Sequence, residues 1–163
     1  MALLTDELKS WIGREVQYVA PEPLSTASIR YFASALRDDN PLYRDDEFAR
    51  DSGHPSVIAP PTLVCETCQY VDGQANDDGY LGHEWDLPLT HCRLIRAGND
   101  YEFLQPVLAS DVITAKWTLE SIDERSRSKG GTQLFVVSLA QYFNQDGTLL
   151  ATNRETVVYQ PIA

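Results

Sequence analysis

From Thr90 onward the helical period disappears, and five stretches read as strands. Thr90–Arg96 and Tyr101–Val107 flank Ala97-Gly-Asn-Asp100, a turn composition. Val112–Ile122 places Ile113, Ala115, Trp117 and Leu119 on one face. Gln133–Asn144 is apolar on parts of both faces, as in a central strand. Asn144-Gln-Asp-Gly147 is a hairpin signal, and Leu149–Gln160 returns from it. Strands joined this way form a largely antiparallel sheet whose apolar face must be covered.

The first half supplies the cover. Leu3, Leu4, Leu8, Trp11 and Ile12 have helical spacing over residues 3–12, with Thr5 or Asp6 as cap. Arg14–Ala20 alternates as a strand, and Pro21 and Pro23 end it. Ser25 or Thr26 caps a helix with Ile29, Phe32, Ala33 and Leu36 on its apolar face, stopped by Asp38-Asp-Asn-Pro41. Asp45–Arg50 allows one or two helical turns. Pro60-Pro61 opens a third helix, Thr62 to about Val71, whose broad face carries Leu63, Val64, Thr67, Cys68 and Val71. Helices first and strands afterwards is an α+β pattern, a sheet wrapped around one apolar helix. At 163 residues without a long linker, a single domain over 1–163 is expected.

The net charge of −11 argues against nucleic acid and anionic membrane surfaces as partners. Three cysteines make no disulfide framework and point to a reducing cytoplasm. The N-terminus lacks the pattern of a signal peptide, and no apolar run is long enough to span a bilayer. Cys65-Glu-Thr-Cys68 is a lone CxxC without further ligands, so no metal is expected. With no phosphate loop or dinucleotide fingerprint, no cofactor is expected either. Arg125, Arg127 and Lys129 form the one basic cluster, a place for coenzyme A or phosphopantetheine phosphates or an ordinary solvated loop.

Two stretches have the layout of a site. Ser34-Ala-Leu-Arg37-Asp38-Asp39-Asn40-Pro41-Leu42-Tyr43 puts a carboxylate at a helix end, and Gly53-His54-Pro55-Ser56-Val57-Ile58-Ala59-Pro60-Pro61-Thr62 leads into the next helix. His54 is the loop imidazole suited to proton transfer. His83 and His91 lack acid partners at informative spacing.

In these motifs the chain resembles the MaoC-like hot-dog family, which includes (R)-specific enoyl-CoA hydratases and (3R)-hydroxyacyl-thioester dehydratases. The family pattern Gly-Asp-x-Asn-Pro-aliphatic-His reads here Arg37-Asp38-Asp39-Asn40-Pro41-Leu42-Tyr43, and Ala-His-Gly reads Ala59-Pro60-Pro61. Gly82-His-Glu-Trp-Asp-Leu-Pro88, Tyr101-Glu-Phe103 and Asn144-Gln-Asp-Gly147 resemble the N-terminal-type subgroup, which includes non-catalytic subunits of heterodimeric dehydratases. The likeness covers about residues 11–160. It implies an antiparallel sheet around a long central helix, and an acyl-CoA or acyl carrier thioester as ligand. It also implies a homodimer, or a heterodimer with a MaoC-like hot-dog subunit, paired edge to edge.

Carried over by position, Asp38 takes the catalytic acid's place and Tyr43 the histidine's, with His54 as a substitute imidazole. Asn40, Val57, Ile58, Ala59, Pro60 and Thr62 are the expected substrate contacts. Two departures weigh against catalysis. A phenol with a pKa near 10 is only about one part in a thousand ionised at neutral pH, a deficit of roughly 4 kcal/mol for a base. Pro61 has no N–H to polarise a thioester carbonyl, and losing one such donor costs on the order of 10²–10³ in rate. The leading expectation is therefore an acyl-thioester-binding subunit whose partner carries the chemistry. A homodimeric hydratase using Asp38 with His54 or Tyr43 is the first alternative. A non-enzymatic acyl-thioester or small-ligand binding module is the second.

Overall fold

Five antiparallel strands make one sheet in the order β1-β3-β4-β5-β2, where β1 is Glu15–Val19, β2 Cys92–Phe103, β3 Thr114–Ser126, β4 Thr132–Phe143 and β5 Leu149–Pro161. The computed structural model describes residues 3–65, 67–76, 79–127 and 130–162. The long β3–β4 and β4–β5 hairpins form the centre of the sheet, and β1 and β2 are its edges. Along β4 the alternation is strict, with Leu134, Val136, Ser138, Ala140 and Tyr142 all buried on one face.

Three α-helices are described: α1 (Asp6–Lys9), α2 (Thr26–Leu36) and α3 (Asp46–Asp51). Ser25 caps α2 in a reciprocal capping box with Ser28, an arrangement worth about 1 kcal/mol. Ile29 and Ala33 are fully buried beneath α2 and join Leu63, Val64, Ile113, Ala115 and Trp117 in the larger of two cores. Leu36, expected on that buried face, is 56% exposed. The helix ends at Leu36, with Arg37 in the left-handed region (φ 56°), before Asn40-Pro41 has any influence. The smaller core joins Leu8 to Leu119, Ile122, Leu134 and Val136.

Two expectations need correction. Ala97-Gly-Asn-Asp100 makes no turn. β2 runs through it, taking up the irregularity as a register shift between Arg96 and Gly98, because β5 offers partners along the whole length. The long central α-helix is also absent from the described residues. Thr62–Val71 instead gives two 3₁₀ segments, Pro61–Cys65 and Cys68–Tyr70. The reason lies in the side chains. Gln69 Nε2 donates to the carbonyls of Val64 and Cys65 at 3.4 Å each, and the Thr67 hydroxyl donates to Val64 O at 3.5 Å. Those carbonyls are the acceptors that an α-helix would use, so local side chains compete with helix continuation. Val71 consequently leaves the core and is 51% exposed.

Strand β3 reaches Ser126, so Arg125 of the basic cluster stands on a strand and lies over the Phe135 ring at 4.2 Å. Lys129 of the basic cluster lies outside the described residues, as do Glu66 and the Cys68 side chain of the CxxC motif. Among the described residues, no helix is long and apolar enough to cross a membrane.

Candidate functional site: a phenol–carboxylate corner and a separate cavity

The corner that follows α2 is built from side chains folding back onto their own backbone. Asp38 N–H donates to Ala33 O at 2.9 Å, closing the helix end. Asp38 Oδ1 accepts from Asn40 N–H at 3.0 Å, and Asn40 Oδ1 accepts from Leu42 N–H at 3.1 Å. These two Asx-type bonds launch the 3₁₀ turn Pro41–Tyr43, which turns the Tyr43 ring inward to 8% exposure. Burial pushes the Tyr43 phenol up from its ordinary value, and the nearby Asp38 carboxylate pushes it further, against a hydrogen bond from Asn40 that lowers it. Asp39 pairs with Arg44 at 3.2 Å on the surface.

The Val57–Pro60 stretch is stitched beside this corner. Val57 N–H donates to Asp46 Oδ1 at 3.0 Å, Ile58 N–H to Leu42 O at 3.0 Å and Ala59 N–H to Val107 O at 2.8 Å. Val57 and Ala59 sit in the core at 1% and 4% exposure, Pro60 is buried, Ile58 is half-buried and Thr62 is exposed. Asp38, Asn40 and Tyr43 are therefore brought together as expected, next to the expected contact segment. His54 is half-buried after α3 with its N–H on Ala49 O at 2.9 Å, and it is not among the groups acting on the Tyr43 phenol.

A cavity of about 580 Å³ lies elsewhere, between the sheet and residues of the segment from Cys65 to Gly82. None of the expected site residues lines it. Its size is that of small-molecule sites, and it occupies space beside the segment where a continuous α-helix was expected. Trp117, Tyr142 and Tyr101 supply aromatic surface from the sheet, and Tyr70 and Tyr80 supply it from the opposite side. Trp117 Nε1 donates to the Tyr70 hydroxyl at 2.9 Å, and burial pushes the phenols of Tyr70 and Tyr142 upward. These are hydrogen-bonding neutral groups near pH 7, unsuited to act as bases.

The sheet side also carries polar groups. Asn153 and Glu155 stand two residues apart on one face of β5, at 3% and 8% exposure. Asn153 Nδ2 donates to Asn99 Oδ1 at 3.0 Å. Arg96 Nη1 donates to Glu155 Oε1 at 2.6 Å, while its guanidinium lies over the Tyr80 ring at 4.0 Å and near Glu84 at 3.7 Å. Burial pushes the Glu155 carboxyl up, and Arg96 pulls in the opposite direction. Tyr80 folds back over Gly82 so closely that a Cβ at Gly82 would collide with the phenol.

Behind Trp117 lies a buried histidine. His83, 5% exposed, bonds through Nδ1 to the Tyr18 hydroxyl at 2.9 Å, with its ring against Trp85 (4.4 Å) and Trp117 (4.8 Å). Burial pushes it down to about 4, so it is neutral near pH 7. The sequence reading missed this cavity. The usable signal was Ala151-x-Asn153-x-Glu155, polar residues in the buried phase of a strand. Among the described residues, no group of three or more His, Cys, Asp or Glu side chains is placed to hold a metal ion.

Comparison with known proteins places this arrangement in a family context. The family model described as "FAS1-like, dehydratase domain region" matches residues 10–153. The UPF0336 protein of Streptomyces coelicolor is 37% identical over 114 residues, covering 70% of this chain and 72% of that one. A "Probable enoyl-CoA hydratase alpha subunit" of Thermomonospora curvata is 26% identical over 155 residues, 90% of this chain but 49% of that protein. Among solved structures, the truncated HadBC (3R-hydroxyacyl-ACP dehydratase) complex of Mycobacterium tuberculosis superposes with a TM-score of 0.65 at 25% identity, covering 89% of this chain and 96% of that one. The ChsH1–ChsH2 complex of the same organism gives 0.71 at 18% identity, covering 91% and 85%.

Proposed function

The chain belongs to the FAS1-like dehydratase-region family, within the MaoC-like hot-dog dehydratases and hydratases, and from that premise we propose that it is an acyl-thioester-binding subunit. In this reading it serves an enzyme that interconverts an enoyl thioester plus water with a 3-hydroxyacyl thioester. A MaoC-like partner with an intact Asp-x-Asn-Pro-x-His supplies the proton transfers, and this chain holds the acyl group in its 580 Å³ cavity.

The observation that carries the proposal is the separation of the two regions. The space able to hold a ligand shares no residue with the Asp38–Asn40–Tyr43 corner. At the corner, Tyr43 replaces an imidazole with a phenol that burial and Asp38 both make harder to ionise. Asp38 and Asn40 use side-chain oxygens to cap local backbone, and Pro60-Pro61 leaves two consecutive positions without an N–H donor. Likeness to two proteins, a probable enoyl-CoA hydratase alpha subunit and a hydroxyacyl-ACP dehydratase complex, supports thioester chemistry and subunit assembly.

The test is hydration of crotonyl-CoA and longer enoyl-CoAs by the purified chain, alone and co-expressed with a MaoC-like hot dog carrying the full motif. Activity is expected only with the partner. Substantial turnover by this chain alone, lost on Asp38→Asn, would overturn the subunit reading.

A further inference from the structure

A second cavity, of about 230 Å³, adjoins the first, and the two share Tyr70, Tyr80, Leu81 and Gly82 as lining residues. Tyr70 is fixed in place: its hydroxyl accepts from Trp117 Nε1 at 2.9 Å, and its ring meets Tyr18 edge-on at 5.0 Å. Leu81 is exposed, and Gly82 has no side chain to set between the two spaces. That leaves the half-buried Tyr80 ring as the group able both to separate them and to move.

The Tyr80 backbone is anchored. Its N–H donates to Asn76 Oδ1 and its carbonyl accepts from Asn76 N–H, each at 2.9 Å. The ring rests under the Arg96 guanidinium at 4.0 Å, and Arg96 is itself held by the buried Glu155 at 2.6 Å. A cation–π contact of this kind favours the observed position by only about two- to fivefold. The phenol occupies room that exists because residue 82 is glycine, since a Cβ there would collide with it. A side chain changes rotamer about a fixed backbone, so the ring can leave the wall without moving its anchor.

We infer that Tyr80 sets the length of chain this protein accepts: its ring partitions the two spaces, and rotation off Gly82 joins them into one longer site. The inference rests on the acyl-binding reading above and names the residue that determines its specificity.

The test is isothermal titration calorimetry of the purified chain with saturated acyl-CoAs from butanoyl- to tetradecanoyl-CoA, in wild type, Tyr80→Ala, Gly82→Ala and Tyr80→Phe. Tyr80→Ala removes the partition. Gly82→Ala evicts the phenol with one methyl group, on a backbone outside the left-handed region. Each methylene buried tightens binding about fourfold until the space is full. In wild type that gain should stop partway along the series. In Tyr80→Ala and Gly82→Ala it should continue for about two more carbons, tightening the longest chain about tenfold and leaving butanoyl-CoA unchanged. Tyr80→Phe should follow the wild type, because its ring remains. The first two substitutions act at different residues, so misfolding of one leaves the other to decide. A gain that stops at the same length in all four proteins, or never stops in wild type, overturns the inference and leaves the acyl-binding reading intact. So does a change by the same factor at every length, which would set the thioester rather than the tail against Tyr80. If no acyl-CoA binds to any of the four, the acyl-binding reading fails and the inference with it.

Discussion

The Asp38–Tyr43 corner and the tyrosine-walled cavity differ in what their polar atoms are doing. At the corner, Asp38 and Asn40 each use one side-chain oxygen to hold nearby backbone: Asp38 Oδ1 on Asn40 N–H, Asn40 Oδ1 on Leu42 N–H. Beside the cavity, Asn153 Oδ1 and the Nε2 of His83 behind Trp117 have no partner. A buried polar atom without a partner is costly, typically about 1–3 kcal/mol. The first region is thus arranged like a structural turn, and the second has an aromatic-walled space with polar side chains on its sheet side. Resemblance to an active-site motif marks where catalysis would occur in relatives, whereas the open volume marks where this chain has room to bind.

The strongest way to break the contrast is to remove the cavity wall. Trp117 is 4% exposed, belongs to the larger core, and ties Tyr70 to the sheet. Trp117→Ala should cost about 3–5 kcal/mol in denaturant unfolding and abolish acyl-CoA binding. A loss below about 1 kcal/mol would mean that the wall is not the rigid element described.

Acid should come next in size. The unfolded chain protonates His83 near its ordinary value of 6.5, while the folded chain resists until about 4. Folded and unfolded states therefore bind different numbers of protons only between those values. Stability is fully present above about pH 6.5, declines as pH falls, and flattens below about 4. The change is worth roughly 3 kcal/mol. Unfolding free energies of wild type and His83→Gln, measured from pH 7.5 to 4, should converge by about that amount as pH falls. Parallel curves would show that His83 titrates normally.

Sequence patterning predicted the sheet well because strand alternation and hairpin chemistry are local properties. The Asn144–Gly147 turn appears where its composition demands it, and β3 buries Ala115, Trp117 and Leu119 on one face as read. It failed at Ala97–Asp100, where turn composition lost to a continuous partner strand, a non-local effect. It failed again at Thr62–Val71, where helical apolar spacing was outweighed by Gln69 and Thr67 competing for backbone carbonyls. The Asp38–Asn40–Tyr43 grouping was legible because six consecutive residues build it. The cavity was not, since residues from Cys65 to Glu155 meet only through tertiary structure.

Tyr43→Phe tests the corner more gently. It removes the phenol hydroxyl while keeping the buried ring, so no more than about 0.5–1.5 kcal/mol of stability should be lost. Turnover of the complex with its MaoC-like partner should stay within about twofold. A fall of tenfold or more at unchanged stability would make the phenol a participant in the chemistry and support the homodimeric reading.

Asp38→Asn is the smallest expected change and the sharpest test of the comparison. Asparagine keeps an oxygen at the position where Asp38 Oδ1 accepts from Asn40 N–H at 3.0 Å, and Asn and Asp serve almost equally well in such caps. The substitution also removes the negative charge that helps push the Tyr43 phenol up, so that phenol should titrate lower. Stability should stay within about 0.5 kcal/mol of wild type, and turnover of the complex within about twofold. General acid–base assistance is worth about 10²–10⁴-fold, so a catalytic carboxylate would show a loss far outside that window. The two outcomes differ by at least an order of magnitude on a protein whose fold the substitution leaves alone. A large loss would mean that the carboxylate caps the turn and serves the reaction at once, ending the division of labour between corner and cavity.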